Sequence, residues 1–167
     1  PGGVQDQVLR LHRWLTQAGH EATIIGTGGE GPEGSVLVGS SISVRANKSS
    51  VPISLDPRAV SRVRSAVGNV DVVHIHEPLM PMVSLGVVLG SGPPAVGTFH
   101  ADPGALVRGV YRGAAPVLRR LVRRLAVVTA VSETARSAIG PFADARIVPN
   151  AVDVAGFGEQ EGGHDPH

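Results

Sequence analysis

Apolar residues return at Val4, Val8, Leu11 and Leu15, with Asp6, Arg10 and Arg13 falling between them. This period of three to four predicts an amphipathic helix at the start of the chain. Gly19 ends it, because glycine takes the left-handed backbone that commonly closes a helix. Residues 21–27 (EATIIGT) form a short run suited to a strand, and the glycine-rich stretch 28–34 reads as loop. Further short strands are expected at 36–38, 41–44 and 51–54. From Asp56-Pro57 an N-terminal helix signal precedes Val60, Val63 and Val67 at helical spacing, which predicts a helix over 57–67.

Beyond that point, two periods alternate. The β-branched run 71–76 (DVVHIH) predicts a buried strand, 82–89 a helix and 95–99 (AVGTF) another strand. Residues 104–125 predict a pair of helices broken near Pro116, whose missing N–H suits a helix start. A strand over 126–131, a helix over 133–139 and a last strand over 146–148 complete the series. Strand–helix–strand alternation implies an α/β, Rossmann-like open parallel sheet with helices on both faces. In such a sheet a glycine turn opening a helix receives the chain from a central first strand, and none precedes Pro1. The expectation is a domain over 1–155 that begins inside its fold, with an exposed sheet edge or gap beside the first helix. Residues 156–167 have no apolar face and are expected to be a disordered tail or broken linker.

Composition narrows the classes. Of 167 residues 42% are hydrophobic but only 3% aromatic, so the core must be built from Val, Leu, Ile and Ala, as in sheets buried on both faces. With no cysteine there is no disulfide framework and no thiolate metal site; an intracellular address is the simpler expectation. A formal charge of +1 argues against nucleic acid as partner. Pro78, Pro81, Ser84 and Gly90 interrupt the longest apolar stretch well short of the roughly 18 residues of a membrane-spanning helix.

Ligands of open parallel sheets bind beyond the carboxyl ends of the strands. Gly2-Gly3 opens the first helix, where unobstructed backbone N–H groups and the helix dipole suit a phosphate or diphosphate; alternatively the pair is a tight turn needing a positive φ. His74 and His76 share one face of their strand, and Glu77 follows at its exit. With His100 they could ligate a metal in a hydrolase, or they could be hydrogen-bonded core and rim histidines. His100 itself ends a strand, where an imidazole can meet a substrate hydroxyl or cap the next loop with Asp102 as partner. Asn150 ends the last strand. In 117–125, Arg119, Arg120, Arg123 and Arg124 lie opposite an apolar stripe. That face could rest on an anionic membrane surface, bind phosphates, or simply be solvated.

Pro1-Gly2-Gly3-Val4-Gln5, Ala18-Gly19-His20-Glu21, His74-Ile75-His76-Glu77-Pro78, Thr98-Phe99-His100 and Val148-Pro149-Asn150-Ala151-Val152-Asp153 stand in one order and spacing. In this the chain resembles the N-terminal domain of retaining GT-B glycosyltransferases of the phosphatidylinositol mannosyltransferase type. The resemblance implies transfer of a hexose, mannose among the options, from a nucleotide-sugar donor (GDP- or UDP-hexose) to a hydroxyl of a lipid or polyol acceptor. It further implies retention at the anomeric carbon and no metal or other cofactor. On the same footing Gly2 and Gly3 face the donor diphosphate, Gln5 touches the acceptor and His100 contacts the transferred sugar; His76, Glu77 and Asn150 are candidate cleft residues by their positions at strand ends. The donor-binding half lies in a second domain, so these 167 residues alone are expected to be inactive. A cytoplasmic address, peripheral on the inner face of the membrane, goes with this reading. Against the family pattern, Leu79 replaces an asparagine and Ala151 a glycine, and 101–105 lack the basic and hydroxyl residues that hold an acceptor phosphate. A GT-B-fold nucleotide-sugar epimerase, or a non-catalytic phosphate-binding or membrane-docking module, is the alternative.

Overall fold

The structure is a computed structural model. It describes residues 3–27, 31–39, 42–46, 49–53 and 56–152, with 42–46 and 49–53 described through their backbone alone. In chain order the elements are α1 (Gly3–Gln17), β1 (Ile25–Gly26), β2 (Val36–Leu37), β3 (Ile42–Ala46), β4 (Ser49–Ile53), α2 (Arg58–Ala66), β5 (Val73–His76), α3 (Val83–Leu89), β6 (Ala95–Phe99), α4 (Ala105–Gly113), α5 (Ala115–Val122), β7 (Val127–Ala130), α6 (Glu133–Ile139) and β8 (Arg146–Ile147). Strands β5-β6-β7-β8 form a parallel sheet in that order, β1 pairs parallel with β2, and β3 with β4 makes an antiparallel hairpin. Parallel strands joined through helices are the α/β, Rossmann-like architecture expected from the alternating periods. Residues 156–167 lie outside the described residues.

The helix ends follow local chemistry. At the end of α1, Gly19 has φ +86, its N–H bonds Thr16 O and the N–H of His20 reaches Leu15 O, the paired bonds of a Schellman closure. Asp56 Oδ1 accepts from Arg58 N at 2.9 Å to open α2, and Ser132 caps α6 by accepting from Ala135 N. The pair α4 and α5 divides at Ala114, and Pro116 sits in the first turn of α5, where no intrahelical donor is lost. Strand β1 is shorter than the expected 21–27 because only Ile25 and Gly26 find partners, in Val36 and Leu37.

Because successive strand residues face opposite ways, the four-stranded sheet has two unlike faces. Ile75, Ala95, Phe99 and Ala130 turn one way and join Val88 of α3, Val122 of α5 and Ala135 and Ile139 of α6 in the main core. Tyr111 and Phe99 both meet Phe142 edge-on, with ring centroids 5.1 and 6.3 Å away. Burying a side chain such as Phe99 or Ile139 contributes about 1.5–3 kcal/mol. His74, His76, Thr98 and Thr129 turn the other way. A smaller cluster of Val38, Val63 and Val67, packed against Ile25 and Val73, ties the β1–β2 pair to α2 and β5.

Close approach fixes two of these contacts. Gly86 lets α3 lie against Val60 and Val63 of α2, where even a Cβ would stand at 3.3 Å. At Gly97 a Cβ would fall 2.5 Å from Leu125 Cδ1 and 2.7 Å from Pro78 Cγ, so Pro78, directly after Glu77, rests on bare β6 backbone.

Candidate functional site

Strands β5 and β6 are adjacent and in register, His76 beside Thr98, so their carboxyl ends deliver His76, Glu77 and His100 to one place. Nδ1 of His76 and Nε2 of His100 are 2.8 Å apart, and the rings are tilted by 33°. His74 stacks on His76 with centroids 4.3 Å apart. Glu77 has a left-handed backbone, φ 56, and turns its carboxylate back so that Oε1 accepts from the N–H of His100 at 2.7 Å and of Ala101 at 2.9 Å. One carboxylate thereby closes the loop after β5 onto the loop after β6.

A hydroxyl track runs across the sheet beside them. His74 Nε2 lies 2.7 Å from Thr98 Oγ1, which lies 2.7 Å from Thr129 Oγ1; Thr129 reaches Gly97 O at 3.5 Å. A carbonyl can only accept, so the donors point one way: Thr129 to Gly97, Thr98 to Thr129, and His74 Nε2–H to Thr98. Sequence reading quoted Thr98 only within a motif and gave neither threonine a role. Their signal was a hydroxyl at matching register in two otherwise aliphatic strands, on the face that carries the histidines.

Loss of water makes all three imidazoles poor bases. Burial lowers the pKa of His74; burial, then the neighbouring His74 and His100, takes His76 to about 3; burial and His74 take His100 to about 4. Glu77 is pushed up by burial, opposed by its two N–H bonds. Burial and the charge of Glu77 raise the Tyr111 hydroxyl. At neutral pH the cluster is therefore a set of uncharged imidazoles. Among the described residues no group of three or more His, Cys, Asp or Glu is arranged to hold a metal ion. In the histidine cluster, the facing nitrogens of His76 and His100 bond to each other, which commits the lone pair that a metal would take.

The family model for "Glycosyltransferase Family 4" matches residues 1–155. The chain belongs to this family. Three similar proteins bear the name phosphatidyl-myo-inositol mannosyltransferase. That of Mycolicibacterium smegmatis is 32% identical over 166 residues, covering 95% of this chain and 42% of its own length. That of Propionibacterium freudenreichii is 31% identical over 171 residues, 94% of this chain and 44% of the relative. That of Mycobacterium tuberculosis H37Rv is 30% identical over 164 residues, 94% of this chain and 43% of the relative. The chain thus spans less than half the length of these relatives.

Within this family 4 domain the other expected site residues are placed separately. Gly2 lies outside the described residues; Gly3 is the first residue of α1, and Gln5 is exposed on it. Asn150 follows β8, two strands from β6, a sideways distance of about 10 Å at ordinary strand spacing. Ala151 is not among the described residues with positive φ, so replacing glycine there carries no left-handed strain.

The four arginines do not act alike. Arg124 donates from Nε to Val88 O at 2.8 Å and from one terminal nitrogen to Leu89 O and Gly90 O, which caps the last carbonyls of α3. Arg119 bonds Pro141 O at 2.9 Å. Arg120 and Arg123 are exposed. A polar cleft of about 840 Å³ lies by the amino end of β7, lined among others by Arg119, Arg123, Arg136, Glu133 and Asp144. It contains no histidine, and the concentrated chemistry sits at the other end of the strands. No helix among the described residues is long and apolar enough to cross a membrane.

Proposed function

We propose that the complete protein transfers a hexose, with retention, from a GDP- or UDP-hexose to a hydroxyl of a lipid or polyol acceptor, and that this chain supplies the acceptor-side half of the cleft. The observation carrying this reading is the clamp of His76, Glu77 and His100 at the carboxyl ends of two adjacent parallel strands, the place where open α/β sheets bind ligands. The names of the mannosyltransferase relatives favour mannose and a phosphatidyl-inositol acceptor. His100 then meets the transferred sugar, Gln5 the acceptor, and the Gly2-Gly3 turn the diphosphate. Negative charge grows on a departing nucleoside diphosphate, and N–H groups fixed at a helix start stabilise it without reorganising.

Gly3 is compatible with this assignment. A Cβ built there meets nothing within 4 Å among the described residues, so this helix start is open to an approaching ligand. A glycine at a helix start lets a diphosphate draw close to the backbone N–H groups. Arg120 and Arg123 offer charge to an anionic membrane surface, consistent with a lipid acceptor and a peripheral, cytoplasmic enzyme.

The test is carried out in the transferase that contains this chain. Gly3→Val and His100→Ala are each expected to lower hexosyl transfer by about 100-fold or more, with folding intact by circular dichroism. Unchanged transfer in both overturns the assignment; sugar isomerisation in the absence of acceptor selects the epimerase instead.

A further inference from the structure

We infer that His76 is a positioning residue for the sugar-transfer site: it accepts the Nε2 proton of His100 and so fixes that ring in one orientation, as a neutral hydrogen-bond donor. The inference rests on the reading of His100 as the residue that meets the sugar. It goes further in assigning the polarity of that contact and the group that sets it.

Two nitrogens 2.8 Å apart share a single proton, and the question is which ring owns it. Nδ1 of His100 is buried and has no hydrogen-bond partner. If His76 donated, the proton of neutral His100 would have to sit on that Nδ1, making a buried N–H with no acceptor, which costs the full desolvation penalty of the donor. If His100 donates from Nε2, Nδ1 keeps only a bare lone pair. Imidazole also favours the Nε2 proton on its own. Both arguments make His100 the donor and His76 Nδ1 the acceptor.

The same geometry excludes an imidazolium at His100, which would bury a charged, unpartnered Nδ1–H. Of the neighbouring titratable groups, His74 and His76 lie on β5 and Tyr111 on α4; the Glu77 carboxylate is bonded to the backbone N–H of His100 rather than to its ring, and Asp102, the partner expected from the sequence, is held by Arg108. With Nδ1 enclosed and the one ring proton already donated to His76, His100 has no free lone pair to offer a ligand. An arriving sugar hydroxyl can only share that Nε2 proton in a three-centre bond. It meets an N–H rather than a base.

Two independent measurements test this. In ¹⁵N-histidine-labelled protein, a long-range ¹H–¹⁵N spectrum is expected to show His100 protonated at Nε2, with that proton slow to exchange. His76→Ala should accelerate its exchange at least about tenfold, because a closed hydrogen bond becomes open to water. His76→Asn, whose Oδ1 stands near the former Nδ1, should retain most of the protection. A His100 proton on Nδ1 in the unmodified chain overturns the assignment even if no variant folds, as does a slow Nε2 proton indifferent to His76→Ala. In the transferase containing this chain, His76→Ala should lower kcat by about 10- to 100-fold with donor KM little changed, the mark of a misplaced group, and His76→Asn should recover most of it. An unchanged kcat overturns the positioning role. A silent His100→Ala overturns the reading of His100 itself, so the two failures come from different variants.

Discussion

Glu77 holds a backbone conformation, φ 56, that a side chain of its kind seldom adopts, and holds it because its carboxylate is tied to two N–H groups of the neighbouring loop. Glu77→Ala leaves those donors without their acceptor and is expected to cost about 1–3 kcal/mol in urea unfolding, whereas Glu77→Gln, which keeps an oxygen there, should cost less. The histidines act through pH. Their folded pKa values lie below 6.5, at about 3 for His76 and about 4 for His100, so the unfolded chain takes up protons that the folded one refuses. Stability should be full above pH 6.5 and fall as the pH drops from there towards 4, by up to about 1.4 kcal/mol per pH unit for each such proton. Partial exposure of the rings moderates that slope. Glu77, raised by burial, acts in the opposite sense: its contribution is full below the ordinary 4.5 and declines as the pH rises through its folded value. A urea midpoint that stays constant between pH 7 and 5 would contradict the histidine assignment, and His76→Asn should flatten the slope.

At the scale of elements, the sequence carried its signal wherever a period or a cap had a local cause. Short runs rich in Val, Ile, Thr or Phe marked β5, β6 and β7, Asp56-Pro57 marked the start of α2, and Gly19 marked the end of α1. The pairing of β3 with β4 was not legible, because register is set between strands rather than within them. Within the site, the histidines and Glu77 could be named from their positions after strands. The bond between His76 and His100, the turn of Glu77 onto residues 100–101 and the threonine track needed the register of β5 on β6. The arginine stripe shows a similar limit, since composition cannot tell that Arg124, exposed like Arg120, is occupied in capping α3 while the Arg120 side chain makes no hydrogen bond among the described residues. Arg124→Ala should therefore lower stability by about 1–2 kcal/mol, as the part-buried bond to Val88 O and two exposed bonds to the end of α3 lose their charged donor, while Arg120→Ala should stay within about 0.5 kcal/mol. Parallel denaturation curves for the two variants separate these outcomes.

The whole molecule presents a family 4 domain over residues 1–155, aligned with 42–44% of the length of its mannosyltransferase relatives. On the function proposed above, donor affinity resides mainly in the remaining length, and the 167-residue chain by itself should show neither transfer nor hydrolysis of any GDP- or UDP-hexose. Detectable turnover by the purified chain would refute this division of labour. If Arg120 and Arg123 meet a bilayer, reversing both to Glu should weaken binding to vesicles rich in anionic lipid and leave binding to neutral vesicles unaltered.

The bare backbone at Gly97 reaches beyond its own strand. Since Pro78 from one side and Leu125 from the other converge on the space a methyl group would need, these three positions form a single steric unit. Natural relatives bearing alanine at 97 should carry a trimmed residue at 78 or 125 in compensation, and a lone Gly97→Ala replacement should displace the loop after β5, with Glu77, as well as loosen the sheet.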